Sequence, residues 1–181
     1  MNSSAGHSIW NTVAKRIVAV AAGFALGSMA ATAAQAQTSA SATTGASVTI
    51  AAPIAVTKTA DLSFGMVVPS ATAGTVVVSA AGVRSVSGGV SEFGGTVTAA
   101  AYSVTGYASN AYAIALPTTA TLTGPGSTTM TAGTFTHSAG SSPALDSSGN
   151  GTFSVGATLS VGANQAAGAY SGTFDVSVNY N

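Results

Sequence analysis

The residues that could do acid–base, nucleophilic or metal chemistry are few. The 181-residue chain has two histidines, four Asp+Glu, four Lys+Arg and no cysteine. His137, in "TFTHSAG", is the one histidine beyond the N-terminal leader described below. A catalytic triad needs a nucleophile, an imidazole and an orienting acid in mutual hydrogen-bond reach. Serines are so common in this chain that Ser plus His carries little information. "GTFSVGA" (151–157) and "GYASNA" (106–111) both lack the spacing of a nucleophile elbow. His137 therefore reads as a strand-end or solvent-facing residue. Zinc wants several Cys or His, and calcium wants converging carboxylates. Asp61, Glu92, Asp146 and Asp175 are far apart, and "LDSSGNG" (145–151) offers one carboxylate and reads as a turn. "GGVSEFGG" (88–95) is glycine-rich but has no lysine and no strand–loop–helix context, so it reads as a flexible connection rather than a phosphate cradle. Arg84 and Glu92 are close enough in sequence to pair, at a surface where such pairs contribute little. No catalytic, cofactor or metal site is expected, and the chain is not read as an enzyme. Tyr102, Tyr107, Tyr112, Tyr170 and Tyr180 could face a sugar. All five sit in predicted strands, where packing is the simpler role.

If side-chain chemistry is so sparse, the backbone must carry the function. Charged residues make up 4% of the chain, and the formal net charge is zero. About a quarter is usual for soluble domains. Disorder needs low hydrophobicity and high charge, the reverse of this composition. Nucleic acid and anionic lipid need clustered Lys or Arg, which are absent. A nearly uncharged chain rich in Ala, Gly, Ser, Thr and Val is poorly defended against association with its own copies.

Residues 1–36 read as a cleaved signal peptide. Lys15 and Arg16 supply a basic start, "IVAVAAGFALGSMAATAA" the apolar run, and Ala34-Gln35-Ala36 the small-residue cleavage site, between Ala36 and Gln37. A retained membrane anchor is the competing reading of the same run. The remainder divides into a flexible extension, 37–50, and a domain, 51–181. Export would permit disulfides, yet there is no cysteine to form one.

Within that remainder apolar residues alternate with polar ones. Ala46, Val48, Ile50, Ala52, Ile54 and Val56 share one parity, and Leu62, Phe64 and Met66 continue it. Pro53 cannot donate to a ladder and should divide the stretch, with a bend at 58–61. Further strands are predicted over 74–80, 97–107, 111–117, 120–124, 129–137, 151–162 and 168–180. Turn residues separate them at Ser109-Asn110, Gly124-Pro125-Gly126, Gly162-Ala163-Asn164 and Asn150-Gly151, the last a hairpin signal. No segment keeps a 3.6-residue period, and "VGANQAAGAY" holds a helical turn at most. The expected fold is all-β: a single antiparallel β-sandwich of about seven to nine strands. A closed barrel is the competing architecture.

The last predicted strand, "GAYSGTFDVSVNYN", places Tyr170, Phe174, Val176, Val178 and Tyr180 on one face. A strand near a chain end has edges whose N–H and C=O groups seek partners. The extension 37–50 offers an alternating row for that purpose: Ala46, Val48 and Ile50.

Two resemblances sharpen this. "ASVTIAAPIAVTKTADLSFGMVVPSATAGTVVVS" together with "VGANQAAGAYSGTFDVSVNYN" resembles the bacterial family known as domain of unknown function 4402, a family name that implies no activity. The closing strand resembles that of chaperone–usher pilus subunits, which end on an alternating strand with a penultimate Tyr and a Gly fourteen positions from the end. Tyr180 and Gly168 match those two positions. The resemblance implies an immunoglobulin-like sandwich lacking its last strand, completed first by a periplasmic chaperone and then by the extension of the next subunit. Carried over, Ala46, Val48 and Ile50 form the donor row. Gly168, Tyr170, Phe174, Val176, Val178 and Tyr180 form the acceptor and chaperone-recognition strand. Many such pilins carry a disulfide, which this chain lacks.

The expected function is accordingly a structural or adhesive subunit of a fimbria-like surface fibre. It would be exported through the periplasm and partnered by its own copies, by a chaperone and by an outer-membrane usher. A stand-alone secreted sandwich binding glycan or matrix, with residues 46–50 paired in their own chain, is the second reading. An amyloid-like surface protein is the third.

Overall fold

The computed structural model describes residues 39–181. The expected signal peptide, with Ala36 and Gln37 at its cleavage site, lies outside the described residues. The chain divides into two units, Met1–Ala46 and Ser47–Asn181, and every strand belongs to the second. Among the described residues no helix is long and apolar enough to cross a membrane.

The second unit is all-β, with eleven strands that pair antiparallel throughout. In chain order they are β1 (Ala55–Ala60), β2 (Ser63–Phe64), β3 (Val67–Val78), β4 (Arg84–Glu92), β5 (Val97–Thr98) and β6 (Ala100–Thr105). They continue with β7 (Tyr112–Ala115), β8 (Thr119–Thr123), β9 (Thr129–His137), β10 (Asn150–Val161) and β11 (Ser177–Tyr180). The only helical turn among the described residues is a three-residue 3-10 turn, Pro125–Ser127. The count exceeds the expected seven to nine because Arg84–Glu92 forms an unpredicted strand and because one predicted strand is split in two. Residues 97–107 become β5 and β6.

β10 is the spine. Its first half, Asn150–Val155, pairs with β6, which in turn pairs with β1. Its second half pairs with β3 on one edge and β9 on the other, and β4 and β8 flank those. Along β10 the alternating side chains Phe153, Val155, Leu159 and Val161 are all buried. Two apolar clusters result. The first gathers Tyr102 and Val104 of β6, Tyr112 of β7, Phe153 and Val155 of β10, and Val178 of β11, so β6–β10 faces β7–β11 across it. The second gathers Val76, Val90, Ala120, Ala132, Leu159 and Val161. Tyr102 and Phe153 stack at 5.1 Å between ring centroids.

Several expectations are corrected. "GGVSEFGG" is not a flexible connection: β4 runs through it to Glu92 and pairs with β3 from Val67↔Glu92 to Val78↔Arg84. Met66 does not continue the inward parity of Leu62 and Phe64. Gly65 takes φ +73°, a left-handed backbone that shifts the alternation by one residue. Met66 is then 52% exposed while Val67 turns in. Strand structure continues through 58–60, with a bulge between Lys58 and Ala60 in place of a bend. The Asn150-Gly151 pair opens β10, and the turn before it is made by Asp146, whose carboxylate accepts from the N–H groups of Ser148 and Asn150. Tyr107 and Tyr170 lie outside strands.

Candidate functional site

The last strand is zipped at one end and bare at the other. β11 pairs with β7 from Ser177↔Ala115 to Tyr180↔Tyr112, and Ser171 bridges Thr123 through both of its backbone groups, at 2.8 and 3.1 Å. Between them, Gly172–Val176 belongs to no sheet, and among the described residues it makes no backbone hydrogen bond. Its side chains still obey strand parity: Phe174 and Val176 turn in, Thr173 and Asp175 out. Phe174 touches both apolar clusters and sits 4.8 Å from the ring of Phe135. The segment is therefore held by its side chains, and its backbone N–H and C=O groups have no protein partner among the described residues.

Beside it lies a groove of about 790 Å³. One wall is 61–69, the other 165–174, and between them the floor is apolar: Ala100, Ala120, Ala132, Leu122, Leu159 and Val161. Three of those six floor residues are alanines, so the floor is low and leaves room above it. Lys58 and Asp61, joined as an exposed ion pair, mark one rim. Tyr102 also lines the groove, and burial pushes its phenol above the ordinary tyrosine value, an effect partly offset by the Lys58 ammonium.

Local chemistry fixes both walls. Tyr170 anchors the upper part of the last strand. Its hydroxyl lies 2.8 Å from each of Thr128 Oγ1, Gln165 Nε2 and the Ala166 carbonyl. Gly168, at φ +148°, lets the chain pass against Pro125, where a Cβ would collide with the ring. Gly172 brings the strand onto β8 so closely that a Cβ there would strike the Thr121 carbonyl oxygen. On the opposite wall Arg84 is a clamp. Its Nη1 donates to the carbonyls of Phe64, Met66 and Gly94 at 3.0–3.2 Å, and its Nη2 reaches Glu92 at 3.2 Å. The expected pair with Glu92 exists, but its cation is not a surface group: the Arg84 side chain is 9% exposed.

The structure thus gathers Tyr170 and Phe174 along the groove and Val176 and Val178 below it. Tyr180 stands at the foot of the strand, donating its hydroxyl to the Ala52 carbonyl at 2.8 Å and accepting from the Tyr107 N–H at 2.6 Å. Of the donor row, Val48 and Ile50 are 87% and 88% exposed, join no strand and do not line this groove, and Ala46 is exposed and belongs to the other unit. His137 ends β9 opposite Val155, and among the described residues its Nδ1 has no hydrogen-bond partner. No group of three or more His, Cys, Asp or Glu that could hold a metal occurs among the described residues. Sequence reasoning missed the 61–69 wall, the alanine floor and the Arg84 clamp. A long-range clamp leaves no local signal, and alanine is too common to mark a floor.

Comparison with protein families gives a match to domain of unknown function (DUF4402) over residues 54–180. The chain belongs to that family. The DUF4402 match takes in both groove walls and the whole closing strand, and it begins after Ala46, Val48 and Ile50. No curated protein and no solved structure matches the chain. The resemblance of the closing strand to pilus subunits therefore gains no support from these comparisons.

Proposed function

We propose that this DUF4402 protein is an exported structural subunit of a surface fibre that assembles by non-covalent β-strand donation. Residues 37–50 of one copy enter the groove of the next with Ala46, Val48 and Ile50 facing the floor, and the inserted backbone pairs with Gly172–Val176. The observation that carries this reading is the bare backbone of Gly172–Val176 beside an apolar groove. Strand addition supplies the missing main-chain hydrogen bonds, and pockets for alternate side chains set the register. Five residues such as Gly172–Val176 span about 17 Å when extended, the length over which a donor strand presents three inward side chains. A donor must leave its own body to reach a sibling, and the exposure of Val48 and Ile50 fits that requirement. Head-to-tail insertion does not close on itself and so generates filaments. The reading assigns the chain no catalysis. A chaperone would hold the groove during export, and an usher would release the subunit at the surface.

The test is Ile50→Asp in the mature chain, made beside a deletion of 37–50. Both should give folded subunits that form no filaments by electron microscopy, because donation would bury an unpaired charge in the one case and lacks a donor in the other. Filaments of normal length from either protein would sink the proposal.

A further inference from the structure

We infer that the Tyr180 hydroxyl and Pro53 form a latch that keeps the N-terminal arm out of its own domain's groove and leaves it for a second copy. The inference rests on the reading of the groove as a strand acceptor. The arm has a sharp root. Ile54 packs on the first apolar cluster, whereas residues 47–51 are exposed and, among the described residues, make no hydrogen bond. The boundary is Ala52, whose carbonyl accepts from the Tyr180 hydroxyl, itself held by the Tyr107 N–H. Gly106 makes room for that hydroxyl, since a Cβ there would collide with it.

Length alone would not prevent an arm from filling its own groove. The root lies six residues from the groove along each wall, Ala52 to Lys58 and Tyr180 to Phe174, or about 20 Å. Residues 39–51 could span roughly 45 Å if extended. Self-insertion instead requires a reversal close to the root, and the root resists it. A turn that places Ala52 in a helical conformation is disfavoured by the proline that follows. A turn centred on Pro53 would pull Ile54 out of the apolar cluster. A turn further upstream would spend Val48 and Ile50, the only large side chains of the row. The hydroxyl holds the Ala52 carbonyl in place against the first two, and the third leaves a self-inserted arm without its apolar row.

The chain has no cysteine, so pairs of spin labels can be introduced without background. Thr49→Cys and Asp175→Cys place labels on exposed positions of the arm and of the bare segment beside the groove. In dilute monomer the unmodified latch should give one long distance. Tyr180→Phe keeps the ring and removes the hydroxyl, and it should add a short-distance population, raise the closed fraction on the order of tenfold, and weaken capture of a synthetic 39–52 peptide. Pro53→Gly, which leaves Tyr180 intact, should act in the same direction. Unchanged distances in both variants, with the peptide still bound by the parent, would overturn the latch while leaving strand donation standing. A parent groove that captures no peptide would overturn both.

Discussion

The two ends of the closing strand make an instructive pair. At 177–180 the strand has a ladder to β7, and Val178 is buried against Tyr112, Val104 and Phe153. At 172–176 the same alternation continues, the side chains still turn inward, and the ladder is missing. Hydrophobic burial is non-directional and can hold a segment against a core without fixing its backbone partners. Main-chain pairing is directional and, where absent, leaves an edge that another strand can use. The lower end has both side-chain burial and a ladder, and the upper end has burial without one.

The largest effect expected on that contrast comes from the closed end. Tyr112 is 2% exposed and sits at the centre of the first cluster. Tyr112→Ala should destabilise the isolated domain by about 3–5 kcal/mol, as truncation of a buried aromatic does. Denaturant unfolding of residues 37–181 gives the value. Ile50→Asp should change the same stability by less than about 0.5 kcal/mol, because the side chain is exposed. If the two variants destabilised the monomer equally, Ile50 would be part of the fold and the distinction between body and arm would be lost.

A smaller effect tests how the bare segment is held. Gly172→Ala would drive a methyl into the Thr121 carbonyl and lift the strand from β8, at a cost of about 1–3 kcal/mol typical of overpacking. Gly45→Ala, with nothing within 4 Å of its added Cβ, serves as the control and should be neutral. The loss should appear as faster exchange of the Ser171 and Thr123 amides, which bond to each other across that bridge, with 177–180 still protected. Uniform exchange along the whole strand would mean that the two ends behave as one unit.

The same contrast explains what could be read from the chain before its fold was known. Strands with a clean period of two were legible: the expected 129–137 coincides with β9, and 151–162 is shifted by one residue from β10. The inward set Tyr170, Phe174, Val176, Val178 and Tyr180 was legible for the same reason. β4 was not, because Gly88 and Gly89 look like a loop. In the fold, β3 and β4 pair with a register shift between Pro69 and Gly74, and glycine is needed where their backbones come together. Met66 was misplaced because one left-handed glycine, Gly65, resets the parity without a change in composition. The groove itself was only half visible. Alternation says which side chains face in, but the absence of a ladder partner is a property of the assembled sheet.

The smallest effect expected is a pH dependence with a contribution at each end. Burial raises the phenol pKa of Tyr102 and of Tyr112 above the ordinary value of about 10. A raised value means that the folded chain keeps its phenolic protons when the unfolded chain has begun to lose them. Stability is therefore intact below pH 10 and falls as the pH rises beyond it, since the folded state then binds more protons than the unfolded one. At Tyr102 the Lys58 ammonium opposes this by favouring the phenolate while Asp61 and Asp175 add to it; at Tyr112 burial acts alone. Tyr102→Phe and Tyr112→Phe should each flatten the alkaline loss of stability, as read by unfolding midpoints between pH 9 and pH 11. Occupation of the groove by a donor strand would bury Tyr102 further and enlarge its share, so the same titration on assembled material reports whether the open end has closed.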